Sequence, residues 1–128
     1  MAKNKHDNID KTKSCDVDHI DAQSCKLVAE FFTVLGNPTR VAIFCELRDG
    51  RKTVSELAEL CGVTLPNVSQ HLRTMRDKGV VSTEKEGQRV FYSIVDDRFA
   101  VACKMIRDAL VEHMQVRAGA FENMPLLD

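Results

Sequence analysis

The sequence predicts a mainly α fold with one small β-hairpin: a winged helix-turn-helix of four helices, a hairpin wing and a closing helix. Three observations predict it. Apolar residues recur at three- and four-residue spacings in successive segments, the period of amphipathic helices. A capping box, Thr53-Val-Ser-Glu56, opens a helix that is cut at Cys61-Gly62-Val63 and restarted at Thr64. Two β-branched and aromatic runs then flank Glu86-Gly87-Gln88, the pattern of a hairpin. A chain of 128 residues is long enough for one core, and 44% hydrophobic with 29% charged residues is the balance of an ordinary globular protein.

Residues 1–20 are polar, lack periodicity and are expected to be a flexible arm. From Asp21, Leu27, Val28, Phe31, Phe32 and Leu35 form a helical stripe that Gly36 stops. Asn37 caps a second helix with Pro38 at its first position, where a missing N–H does no harm. Its run Val41-Ala-Ile-Phe-Cys45 is apolar all round and predicts a buried helix ended by Asp49-Gly50. The helix opened by Thr53 carries Leu57, Ala58 and Leu60, and Thr64 caps the next, from Leu65 to about Lys78. Strands are expected at Val80–Thr83 and Arg89–Ile94. A closing helix from Asp96 or Asp97 carries Phe99, Ala102, Cys103, Ile106, Leu110 and Met114 on one stripe. The folded domain is expected over 21–118, with a tail over 119–128. No apolar run approaches the roughly 20 residues that span a bilayer, so no membrane partner is expected. The start lacks an apolar stretch behind its lysines and is not expected to be a secretory signal.

Two helices joined by so short a turn need small residues where their backbones approach, and Ala58 and Gly62 supply them. In the second of the pair Val68, Leu72 and Met75 point inward. A rotation of 100° per residue sends Asn67, Gln70, Arg73 and Thr74 roughly outward, with Ser69 and His71 at the sides. Amides, hydroxyls and a guanidinium match major-groove edges and phosphates. A helical hairpin with a solvated polar face would fit those residues alone. The following hairpin favours DNA, because Lys85, Gln88 and Arg89 gather at its tip. Residues 64–92 hold five cations against three carboxylates in a chain whose net charge is −1. The DNA-facing set is therefore Thr64, Asn67, Ser69, Gln70, His71, Arg73, Lys85, Gln88 and Arg89. No glycine-rich phosphate loop, Cys–His pair within a motif or close carboxylate pair points to an enzyme.

The runs Gly36-Asn-Pro-Thr-Arg40, Val54-Ser-Glu-Leu57, Val68-Ser-Gln-His-Leu72, Gly79-Val-Val81 and Gly87-Gln-Arg-Val-Phe-Tyr92 resemble, in order and register, the ArsR/SmtB family of winged-helix repressors. The resemblance spans roughly Leu27 to Met114. It implies a cytoplasmic homodimer, joined through its first and last helices, that leaves double-stranded operator DNA when a small inorganic inducer binds. It also implies where an inducer would bind, and two of those places lack their donors. A cysteine pair at the helix before the turn falls on Thr53 and Ser55. A zinc site across the closing helices falls on Asp96, Arg98, Ala109 and Glu112, which has lost both imidazoles.

Five cysteines remain, an odd number at irregular spacings, which suits reduced thiols better than a disulfide framework. Cys45 matches the first reactive cysteine of the family's persulfide sensors, whose second falls here on Val111. Cys103 lies eight residues earlier on the closing helix, so the match is half present. Cys45 and Cys103 could each equally be packing, and Cys61 reads as core. Cys15 and Cys25 stand in a polar segment with Asp16, Asp18 and His19, donors that suit a thiophilic ion such as As(III). The sequence therefore predicts no obligatory cofactor. It predicts a thiol-triggered response through Cys15, Cys25, Cys45 and Cys103, with As(III) ahead of persulfide or polysulfide, and a non-thiol effector as the remaining alternative.

Overall fold

The structure, a computed structural model, describes residues 21–116; the arm expected over 1–20, with Cys15, and the tail over 119–128 lie outside the described residues. The helices are α1 (Ala22–Val34), α2 (Pro38–Glu46), α3 (Val54–Cys61), α4 (Leu65–Asp77) and α5 (Asp97–Val116), with a 3₁₀ turn at Leu47–Asp49. Strands β1 (Val81–Glu86) and β2 (Arg89–Ile94) form an antiparallel hairpin between α4 and α5. The chain divides into two units, Met1–Glu30 and Phe31–Asp128, with the boundary inside α1. No single described helix is long and apolar enough to cross a membrane.

Each helix begins where a side chain can accept its free amides. Asn37 Oδ1 accepts from the N–H of Thr39 and of Arg40, at 2.9 and 3.1 Å. The Thr53 hydroxyl accepts from Glu56 N–H at 3.2 Å, and Glu56 returns the bond by accepting from Thr53 N–H at 2.8 Å. Thr64 accepts from Asn67 N–H at 3.3 Å. Asp96 accepts from Arg98 N–H at 2.9 Å ahead of α5. Glycines in the left-handed region close α3 and α4, Gly62 at φ +70° and Gly79 at φ +76°. Val63 N–H then reaches back to the Ala58 carbonyl, and Val80 N–H to that of Met75.

The core of the larger unit is built by α2, α3 and α4. Ile43, Phe44, Leu57, Val68, Leu72 and Met75 are wholly buried there, and Leu47, Val80 and Val81 close its edges. Phe31 packs edge-on to Phe44 and lies 4.9 Å, ring to ring, from Phe99. The structure corrects three sequence expectations. Helix α2 is not buried all round, because Val41, Ala42 and Cys45 are only half-buried while Ile43 and Phe44 take the core. The helix also tightens into a 3₁₀ turn after Glu46, one turn before Gly50. Strand β1 runs on to Glu86, since Lys85 and Glu86 pair with Val90 and Arg89 and leave only Gly87-Gln88 as the turn. Gly87 is at φ +64° and Gln88 has no positive φ, which gives a turn led by its first glycine.

At Gly62 an added Cβ would meet nothing within 4 Å, so the only obstacle there is backbone conformation. Gly62→Ala is expected to cost about 1–2 kcal/mol by urea unfolding, with the α3–α4 geometry retained.

Candidate nucleic-acid interface

Complete burial of Val68, Leu72 and Met75 sets the rotation of α4 about its own axis. The exposed residues of that helix are then Leu65, Pro66, Ser69, Gln70, Arg73, Arg76 and Asp77. Gln70 and Arg73 stand clear of the protein, as the sequence places them, and Ser69 flanks them. Asn67, His71 and Thr74 are half-buried instead, on the flank that faces α2. Thr74 turns its hydroxyl back to the Gln70 carbonyl at 3.4 Å. Thr64 is exposed with its oxygen committed to the cap.

His71 is held by an arginine that sequence reasoning missed. The Arg40 guanidinium, one turn into α2, lies 3.3 Å from His71 Nδ1 and donates through Nε to the Val34 carbonyl at the end of α1. One planar cation thus joins the last carbonyl of α1, that of Val34, to the flank of α4. The signal was present in the run Asn37-Pro-Thr-Arg40, where helical phasing puts Arg40 beside the cap, but its partner is 31 residues away.

The wing hangs from the helices through a short bridge. Lys52 and Tyr92 exchange both backbone bonds, at 3.0 and 2.8 Å, and Lys52 Nζ reaches the Glu46 carbonyl. This fixes Arg51 above the sheet, its guanidinium 4.0 Å from the Phe91 ring and its nitrogens 2.8 and 3.0 Å from Glu84 and Glu86. Cross-strand pairing puts Glu84, Phe91, Glu86 and Arg89 on that one face. Arg89 lies 5.0 Å from the same ring, and its charge helps hold the Glu56 carboxylate low, after the Thr53 bonds that dominate. Arg51 therefore neutralises two carboxylates that would oppose phosphate, and Lys85, Gln88 and Arg89 remain exposed at the tip. Arg51 sits in a loop without periodicity, so no sequence pattern marks it.

The thiols lie elsewhere. Cys25 is exposed on α1, Cys45 and Cys103 are half-buried on α2 and α5, and Cys61 is buried. Burial pushes the Cys103 thiol up, and Cys45 is close enough to add to the shift; the same holds for Cys61, with Glu46 acting before Cys45. Cys103 also borders a cavity of about 390 Å³ lined by Phe31, Leu35, Val41, Ile106 and Leu110. Among the described residues no three His, Cys, Asp or Glu side chains gather as ligands for one metal ion. At the place where the family resemblance implies zinc, Asp96 is instead paired with Arg98, at 2.8 Å, and that pairing holds its carboxyl down to about 2. A cation bonded to one of the two remaining carboxylates does not fit a zinc site.

Comparison with known proteins agrees with this geometry. The family described as "Bacterial regulatory protein, arsR family" matches residues 37–83, from the α2 cap to the first half of β1. The transcriptional regulator KmtR of Mycobacterium tuberculosis is 40% identical over 77 residues, which are 60% of this chain and 58% of KmtR. The chain thus spans little more than half of that relative. The crystal structure of Rv0081 of the same organism superposes with a TM-score of 0.66 at 33% identity, covering 73% of this chain and 95% of that one. A homodimeric winged helix-turn-helix domain of Mycobacterium bovis, Mb0332, gives a TM-score of 0.69 at 24% identity, over 80% and 94% of the two chains; it shows the shared fold.

Burial, followed by the Arg40 charge, pushes the His71 pKa below its ordinary value. A depressed histidine contributes stability that is present above the unfolded value, near 6.5, and is lost as the pH falls from there through the lower folded value. Thermal melting between pH 7.5 and 5 is expected to show this loss in the natural chain and a flatter profile in His71→Gln.

Proposed function

The chain belongs to the ArsR family of bacterial regulatory proteins, and on that premise we propose that it is a dimeric repressor that holds operator DNA and releases it when an inducer engages its cysteine thiols. The observation that carries the DNA reading is the orientation of α4. Three buried side chains fix it so that Ser69, Gln70 and Arg73 face outward in one stripe, with a cationic wing tip following directly. Gln70 suits an adenine edge, and Arg73 suits a guanine edge or a phosphate.

The dimer reading rests on apolar side chains that one chain leaves uncovered. On α5 these are Val101, Met105, Ile106 and Leu110, and at the end of α1 Phe32. A second copy supplies the cover, and two-fold symmetry sets two α4 helices to successive major grooves.

Release through thiols is supported by subtraction and by position. The Asp96–Arg98 pair and Ala109 leave no zinc set on α5. Cys45 lies half-buried on a core helix, and Cys103 half-buried on the helix that carries the proposed dimer face. As(III) binds by exchanging its hydroxides for three thiolates, each thiol proton leaving in water, with no change of oxidation state. The sequence offers three such thiols in Cys15, Cys25 and one of the helix cysteines. The half-burial of both thiols, with Cys103 bordering a cavity, favours a second reading, a polysulfide bridge between Cys45 and Cys103. There the polysulfide is the oxidant: part of its sulfur stays between the two cysteine sulfurs, and the remainder takes two electrons and two protons from the thiols and leaves as hydrogen sulfide. Either adduct adds volume beside a tightly packed core and favours a dimer with different spacing of its α4 helices.

Selection of operators from a random duplex library by the full chain tests the first part. A two-fold symmetric sequence is expected. Arg73→Ala should weaken binding to all sequences and lower the salt slope by about two units per dimer, and Ile106→Glu should weaken dimer and DNA complex together. Adding As(III) or inorganic polysulfide to the complex tests the second part. Cys45→Ser should abolish release without lowering DNA affinity, while Asp96→Asn and Glu112→Gln leave release intact. If a chain lacking all five cysteines still released DNA to the same agent, the thiol reading would be overturned.

A further inference from the structure

At the edge of the proposed DNA-facing stripe stands one side chain whose chemistry does not belong on a solvated polar face. Leu65, at the first position of α4, is 49% exposed, and Pro66 beside it is exposed as well. Their neighbours one turn on, Ser69 and Gln70, are the polar residues of the proposed base-reading stripe. The three buried residues of α4 leave no freedom to turn Leu65 inward, because Val68 and Leu72 already fill the core flank next to it. The N-terminal turn of a recognition helix is also the part that approaches base edges most closely.

In the major groove the donors and acceptors of all four base pairs are accompanied by a single apolar group, the C5-methyl of thymine. An exposed leucine in the first turn has no hydrogen bond to offer, and its complement in that groove is this methyl. From this juxtaposition we infer that Leu65 is a specificity-determining residue that reads a thymine in each operator half-site by packing against its methyl group. The inference rests on the DNA-binding reading given above and refines it. Ser69 and Gln70 read hydrogen-bonding edges, while Leu65, one turn earlier, reads shape and apolarity at an adjoining base pair.

The test replaces thymine by deoxyuridine, which deletes the methyl and keeps every donor and acceptor. The full chain is used to select an operator, and each thymine of that operator is then changed to deoxyuridine symmetrically in both half-sites. One symmetric position is expected to lower affinity about fourfold per half-site, the effect of one buried methyl group. Leu65→Ala should bind the thymine operator more weakly by a similar factor and be indifferent to deoxyuridine at that position. Leu65→Gln should shift the selected base there towards adenine, which an amide can engage at two points. If the natural chain is indifferent to deoxyuridine everywhere, or Leu65→Ala keeps the full discrimination, the inference is overturned while DNA binding stands. If no sequence is selected at all, the DNA-binding reading itself fails. The deoxyuridine series on the natural chain decides the matter even if a Leu65 variant does not fold.

Discussion

The face that α4 presents depends on one burial constraint, the packing of Val68, Leu72 and Met75 in one core with Ile43, Phe44 and Leu57. A helix of 13 residues has little propensity to persist alone in water and takes most of its stability from the face that it buries. The same three contacts therefore both form α4 and aim it. A core position altered here changes not only stability but the angle at which Ser69, Gln70 and Arg73 are offered. Truncating any of the three leaves a void that the surroundings fill only in part, so loss of stability and loss of aim arrive together.

Much of this was legible in the sequence because its causes are local. Caps, left-handed glycines and the three-four spacing of apolar residues are set within a turn or two of chain, and Asn37, Thr53, Thr64, Gly62 and Gly79 all act where their neighbours imply. What escaped reading depends on partners far along the chain. Arg40 meets His71 across 31 residues, and Arg51 meets Glu84 and Glu86 across 33 and 35. Helical phasing alone spreads the outward face symmetrically about Gln70. Packing against α2 covers the Asn67, His71 and Thr74 flank and uncovers Leu65 and Pro66 on the other, an asymmetry that no count of residues per turn contains. The hairpin was placed correctly but drawn too short, because charged residues are poor strand formers and Glu84, Lys85 and Glu86 join the ladder only with their pairing partners present.

The thiols differ in their surroundings. A half-buried thiol whose pKa is raised is a poor nucleophile at neutral pH, and Cys103 belongs to that class. Such a residue is protected from casual oxidants and responds best to an agent that removes its proton by binding sulfur directly. Cys25, exposed on α1, has no such shelter.

The join between α4 and the wing has a mechanical consequence. Gly79 ends the helix, Val80 and Val81 are already buried, and Val80 bonds to Met75 on one side and receives the Val95 amide on the other, so no free linker separates helix from hairpin. The hairpin is tied at two further points, Lys52 to Tyr92 through the backbone and Arg51 to Glu84 and Glu86 through side chains. Six strand residues make an arm of about 20 Å, so a tilt of about 10° at its base would sweep the tip through about 3.5 Å, more than the length of a hydrogen bond. These ties oppose such a tilt, so helix and wing keep one relative angle and a turn of α4 in its seat carries the tip with it.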